Sequence, residues 1–182
     1  GDDSISVSDG ANTVVGGAGN DTITAGTGAD TVTGGDGNDT ITTSSGNDTV
    51  DGGNGNDNID VGGGNDSVTA GAGNDTITGG LGDDTISGGA GNDIISITSL
   101  SNGDSIDGGD GVGDRLTIDA ISSDATPSGI TGIEDFRVTT LGNGGGASIT
   151  GDFTKVTGIT SLVTTSNQSA NTLTLKNLPS TL

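Results

Sequence analysis

Nine aspartates recur at constant spacing, at Asp21, Asp30, Asp39, Asp48, Asp57, Asp66, Asp75, Asp84 and Asp93. Extending the register backwards reaches Asn12 and Asp3. Carboxylates offer acid–base chemistry in pairs, or ligation of hard cations. The rest of the chain disfavours catalysis. It has no His and no Cys, so it builds neither a His-based triad nor a thiol metal site. It has no G-x-S-x-G elbow. A carboxylate pair for glycosidic cleavage would lack an aromatic platform for the sugar, since there is no Trp or Tyr. No D-x-[DN]-x-[DN]-G loop ends in Glu, which excludes an EF-hand. The reading is a cation binder and not an enzyme.

The elements that position these aspartates repeat with them. Gly16 to Ser96 is nine consecutive nine-residue units without insertion, each close to G-G-x-G-x-D-x-U-x, where U is a large aliphatic. Glycines at the first, second and fourth positions let six residues form a tight turn. Thr-Ile-Thr or Thr-Val-Thr then suits a three-residue strand with its middle side chain facing inward. The aliphatic positions alternate in kind. One set is Ile5, Ile23, Ile41, Ile59, Ile77 and Ile95; the other is Val14, Val32, Val50, Val68 and Ile86. An 18-residue period therefore underlies the nine-residue one, so two units complete one coil. The fold expected is an all-β parallel roll with an Ile ladder facing a Val ladder. One aliphatic side chain per unit makes a thin core.

Composition sets the electrostatic problem. Formal charge is −21, nearly all of it Asp; Glu134 is the sole Glu, and only Arg115, Arg137, Lys155 and Lys176 are positive. Nucleic acid and anionic membrane would be repelled, and no apolar run is long enough to insert into a bilayer. Low hydrophobicity with high net charge is also the signature of a disordered linker, but a linker has no reason to keep a nine-residue register. Stacked coils bring like-charged Asp side chains about 4.8 Å apart, where each adjacent pair repels by about 1 kcal/mol even in water. A hard dication removes that repulsion, and calcium accepts six to eight oxygens from carboxylates and backbone carbonyls. The chain is thus expected to be unfolded without metal and folded with it. Magnesium substitutes poorly, because it demands a smaller octahedron and sheds water reluctantly.

The nine-residue unit is that of calcium-binding parallel β-helices, and over about residues 1–117 the chain resembles the RTX family of secreted bacterial proteins. The resemblance implies a right-handed parallel β-roll with each ion between neighbouring turns on one edge. One edge would use Asp3, Asp21, Asp39, Asp57, Asp75 and Asp93, and the other Asn12, Asp30, Asp48, Asp66 and Asp84. Backbone carbonyls near Gly17, Gly19, Gly35, Gly37, Gly53, Gly55, Gly71, Gly73, Gly80, Gly82, Gly89 and Gly91 would complete the ligand sets. That arrangement implies about nine ions, with the neutral Asn12 making the weakest gap. The second edge, whose turns lack the full Gly-Gly pair, should bind less tightly. Asn-Asp-Thr triplets such as Asn20–Thr22 match a glycosylation acceptor, but the calcium turn already needs them.

After Ser96 the register slips. Asp104 with Ile106, and Asp114 with Leu116, can still supply one ligand and one core residue each. From residue 118 the composition turns to Thr, Ser, Ile and Leu, dividing the chain into a roll (1–117) and a Thr-rich segment (118–182). Gly132–Thr140 returns near Gly158–Thr165, 26 residues later, and Ala147–Phe153 resembles Leu173–Leu178. This predicts a wider-coil β-solenoid-like continuation with core residues Ile133, Phe136, Val138, Ile149, Phe153, Ile159, Leu162, Leu173 and Leu175. The segment is similar to Thr-rich β regions of bacterial surface-layer proteins. That likeness implies a calcium-dependent structural module on the extracellular bacterial surface, exported by type I secretion, with other copies of the parent or surface polysaccharide as partners. The alternative is the accessory roll of an exported enzyme, toxin or adhesin. Paired outward Thr also suit ice binding, but Asn58-Ile-Asp60 and Thr49-Val-Asp51 break the array. The chain opens inside a repeat, as a piece of a larger protein would.

Overall fold

Each Thr-aliphatic-Thr triplet becomes a strand with its middle side chain buried and its flanking side chains turned largely to solvent. The computed structural model describes residues 1–121 and 129–138, together with the backbone of 148–150 and 174–176. All the regular structure described is β. The odd-numbered strands are β1 (Ser4–Ser6), β3 (Thr22–Thr24), β5 (Thr40–Thr42), β7 (Asn58–Asp60), β9 (Thr76–Gly80), β11 (Ile94–Leu100), β13 (Arg115–Ile121) and β15 (Asp135–Val138). They pair in that order as one eight-stranded sheet. The even-numbered strands are β2 (Thr13–Ala18), β4 (Thr31–Asp36), β6 (Thr49–Asn54), β8 (Ser67–Ala72), β10 (Thr85–Ala90), β12 (Ser105–Asp110) and β14 (Gly129–Thr131). These make a second, seven-stranded sheet. All pairings are parallel, as a solenoid requires.

Register confirms the two-unit coil. Ile5 pairs with Ile23, Ile23 with Ile41, and the ladder continues through Ile59 and Ile77 to Ile95. Val14, Val32, Val50, Val68 and Ile86 stack likewise in the second sheet. Two details differ from the sequence reading. The even strands from β2 to β12 are six residues long, because they run on into the turn and ladder Gly17 on Gly35 and Gly35 on Gly53. The core is also thicker than one aliphatic per unit. Ala25, Thr43 and Val61, at the first position of the turns after the odd strands, and Ala70 within β8 are completely buried. At Gly79, which lacks a side chain, the Ile97 and Ile86 methyls close in to 2.7 and 2.8 Å of where a Cβ would stand.

The slip after Ser96 appears as a register shift between Ser96 and Ile97. Longer strands absorb it, and the ladders go on: Ile95 to Leu116 to Phe136, and Ile86 to Ile106 to Ile130. Both sheets thus cross residue 118, and Ile133, Phe136 and Val138 are buried in the same core. β16 (Ser148–Thr150) and β17 (Thr174–Lys176) form a separate parallel pair with Ile149 opposite Leu175, the 26-residue offset read from the sequence. The side chains of Ile149 and Leu175, and the candidates Phe153, Ile159, Leu162 and Leu173, lie outside the described residues, as does 158–165.

Candidate metal-binding edges

Every turn glycine named above as a carbonyl donor, from Gly17 to Gly91, has a positive φ between 77 and 145°. Coil stacking makes two of these positions strict. A Cβ on Gly35 would run into the Gly17 carbonyl oxygen, and one on Gly37 into that of Gly19. Turn-to-turn hydrogen bonds use a different carbonyl. The Gly37 N–H donates to the Asn54 carbonyl at 2.7 Å and the Gly55 N–H to Ala72 at 2.7 Å. The third-position carbonyl of each turn is thereby occupied, while the fourth-position carbonyl is stacked against the next coil's glycine.

The aspartates point into these turns and are buried. On the first edge Asp21 Oδ1 accepts the N–H of Asp3 at 2.7 Å. Asp39, Asp57, Asp75 and Asp93 then accept in turn from Asp21, Asp39, Asp57 and Asp75, each at 2.8 Å. On the second edge Asp30, Asp48, Asp66 and Asp84 accept from Asn12, Asp30, Asp48 and Asp66 at 2.8 to 3.0 Å. Each carboxylate thus reaches back one coil. Its other oxygen is buried without a hydrogen-bond partner in Asp21, Asp30, Asp39, Asp48, Asp57, Asp66, Asp75, Asp84, Asp93 and Asp114. These orphans meet backbone oxygens: a Cβ built on Gly16 would lie 2.5 Å from Asp21 Oδ2 and 2.8 Å from the Gly34 carbonyl oxygen. At Gly52 the corresponding oxygens are Asp57 Oδ2 at 2.6 Å and the Ala70 carbonyl at 2.5 Å.

A buried carboxylate with a free oxygen is costly unless a charge compensates it. Burial first, and then the charge of neighbouring aspartates, push these groups up, against the pull of the backbone N–H. Asp66 and Asp75 rise to about 6 and Asp84 to about 7. Asp39, Asp57, Asp93, Asp104 and Asp114 shift in the same direction, burial being the largest cause. Among the described residues no three acidic side chains converge to hold an ion by themselves. A cation between coils must therefore draw on two carboxylates and backbone carbonyls. An all-oxygen donor set with unsatisfied carboxylate oxygens fits calcium.

Residues 1–32, 24–59, 33–68 and 60–95 each match the profile of the RTX calcium-binding nonapeptide repeat. The chain belongs to that family. Searches of curated proteins and of solved structures return no match. RTX repeats bind calcium, so the roll is a calcium-binding structural module of the kind found in secreted proteins.

Three outlying ligand candidates behave differently from the inner RTX aspartates. Asp3 is exposed, and its N–H donates to Asp21 Oδ1 at 2.7 Å. Asn12 spends its amide N–H groups on the carbonyls of Ser8 and Gly10, both at 2.7 Å, placing neutral donors on those oxygens. Asp104 accepts from both Asp84 and Ser101 N–H, at 2.8 and 2.7 Å, so neither oxygen is orphaned. Two further features of the roll escaped the sequence reading. On the first edge the residue before the Asp forms its own ladder in the opposite direction: Asn20, Asn38, Asn56 and Asn74 each accept the N–H of the residue one coil ahead, at 2.6 to 2.8 Å. The signal was the recurrence of Asn at that position. Glu134 also continues the aspartate ladder, and no repeat marks it.

Proposed function

We propose that this chain is a calcium-dependent structural module of a secreted bacterial cell-surface protein of the surface-layer type, which folds when it meets extracellular calcium. The observation that carries the reading is the double row of buried, unpartnered Asp oxygens along the two edges. Asp21 to Asp93 on one edge and Asp30 to Asp84 on the other hold the ions, about nine in all, with carbonyls of the turn glycines. The bound ion supplies positive charge between carboxylates that would otherwise repel and joins each turn to the next. The chain's own part is to fix the geometry: backbone N–H groups hold one oxygen of each Asp, and Ile and Val ladders stack the coils. Where calcium is scarce the charge stack opposes folding, so the chain stays extended and able to pass through a secretion channel. At millimolar calcium it folds. The surface-layer assignment is supported by the Thr-rich continuation and its 26-residue strand offset, with other copies of the parent or surface polysaccharide as partners.

The test is far-UV circular dichroism during calcium and magnesium titrations, with bound calcium counted by equilibrium dialysis. A cooperative rise of β signal with calcium alone, at about eight to ten ions per chain, is the expected result. An unchanged spectrum, or an equal response to magnesium, would sink the reading.

A further inference from the structure

The first-edge ladder does not stop with the nonapeptides. Asp93 N–H donates to Asp114 Oδ1 at 2.8 Å, and Asp114 N–H donates to Glu134 Oε2 at 2.9 Å. The only Glu in the chain thus occupies the place held by an Asp in every earlier coil. The turn before it has no glycine-rich hexapeptide; Gly132 and Ile133 link β14 to Glu134, and the longer side chain reaches the N–H from that shorter turn. The Glu134 and Asp135 N–H groups both donate to the Asp114 carbonyl, at 3.0 and 2.9 Å, tying the two segments together.

Asp114 itself is completely buried and its Oδ2 has no partner. Its carboxylate closes on Gly111, where a Cβ would lie 2.6 and 2.7 Å from the two Asp114 oxygens and would strike the Gly91 carbonyl oxygen. The cationic side chains among the described residues do not satisfy it. Arg115 and Arg137 both close on Asp135 Oδ2, at 2.8 and 2.7 Å. On the other edge Asp104 differs, since it accepts two N–H groups and leaves nothing orphaned.

We propose that Asp114 and Glu134 form a terminal site for a hard divalent cation, closing the first edge outside the repeats and tying β15 to the metal-built roll. The proposal rests on the calcium reading of the edges given above. Glu134 is the ligand no repeat pattern announces, and the Gly91 carbonyl oxygen lies with both Asp114 oxygens around the place a Gly111 Cβ would take.

The experiment uses the full chain with calcium chloride and compares the parent, E134Q, E134A and D57N. Bound calcium is counted by equilibrium dialysis, and the Asp114 amide is followed by ¹H–¹⁵N correlation spectra. Gln keeps an acceptor for the Asp114 N–H but not the charge. E134Q is expected to weaken the site by about tenfold or more. At the calcium level that just saturates the parent it therefore binds one ion fewer, and its Asp114 amide no longer follows calcium with the parent. E134Q with the parent's full complement and the parent's Asp114 response would overturn the proposal, whatever E134A does, because Glu134 would then be a hydrogen-bond cap alone. A parent that binds no calcium would overturn this site and the edge reading together. D57N losing ions while E134Q keeps them all would overturn this site only.

Discussion

Replacing Asp57 by Asn separates the charge of an edge aspartate from its hydrogen bond. Asp57 is buried in the middle of the first edge. Its Oδ1 accepts the Asp39 N–H at 2.8 Å, its own N–H donates to Asp75 at 2.8 Å, and its Oδ2 is unpartnered. An Asn side chain keeps the accepting oxygen. Without calcium the change removes repulsion from Asp39 and from Asp75, each about 1 kcal/mol at strand spacing in water. The metal-free roll should therefore gain about 2 kcal/mol. With calcium the same change weakens the two ions flanking Asp57. For sites with Kd of about 10⁻⁴ M, each ion contributes about 2.7 kcal/mol at 10 mM calcium. Losing both outweighs the relief, and the variant should be about 3 kcal/mol less stable. The two effects balance at about 0.5 mM calcium.

Urea unfolding at about 10 mM calcium measures the loss, and folding by trimethylamine N-oxide in chelator measures the gain, since that osmolyte strengthens burial without supplying charge. Destabilisation of the same size in both conditions would refute the reasoning, because Asp57 would then matter only as an acceptor. Asp57→Ala is the control. It orphans the Asp39 N–H, at a cost of about 1–3 kcal/mol, and should therefore remove most of the gain seen for Asn in chelator.

Three other perturbations test the fold and its charge. In the metal-free chain Asp66, Asp75 and Asp84 are raised from 3.8 to about 6, 6 and 7. The folded state thus binds protons more tightly than the unfolded, and this stabilisation is present in acid and lost as pH rises through about 6 to 7. Circular dichroism in chelator should gain β signal on acidification from about pH 8 to pH 5, whereas in limiting calcium the signal should fall as protons displace the ion. Gly53→Ala places a Cβ against the Gly35 carbonyl at φ 108°, so it should abolish cooperative folding even at high calcium, read from the same titration. Ile59→Ala empties a fully buried rung between Ile41 and Ile77; urea unfolding in calcium should show a loss of about 2–5 kcal/mol.

The coil was legible because its two periods are written in different residues. Ile and Val alternate down the chain, and the structure stacks Ile on Ile and Val on Val. The inner aspartates were legible for the same reason, since a register without exceptions fixes an edge. What was missed carries no such register. Ala25, Thr43 and Val61 join the core although their types share nothing but a place in the turn. The even strands lengthen because consecutive Gly-Gly segments can ladder, which a turn-plus-strand reading treats as loop. Glu134 was invisible because its role depends on a short turn carrying its side chain back to the edge, and only three-dimensional stacking shows the Asp114 N–H waiting there.

Opposed side-chain ladders explain how so thin a core can hold register. On the first edge the Asn before each inner Asp accepts from the coil ahead, and the Asp accepts from the coil behind. Every inner turn on the first edge is therefore pinned to both neighbours by side chains as well as by strand hydrogen bonds. A one-residue slip would break both ladders together and expose the aliphatic rung, because successive strand residues face opposite sides. The pinning leaves one debt unsettled, the second oxygen of each Asp, and that debt grows with each coil stacked. Neutral devices settle it at some ends: the Asn12 amide donates to its own turn, and Ser101 donates to Asp104. Inside the roll the second oxygen of each Asp from Asp21 to Asp93 stays without a hydrogen-bond partner, so on the proposed calcium reading the cation is the component that lets further coils add without accumulating charge. On that reading calcium dependence follows from the architecture, through the same hydrogen bonds that fix where each carboxylate stands.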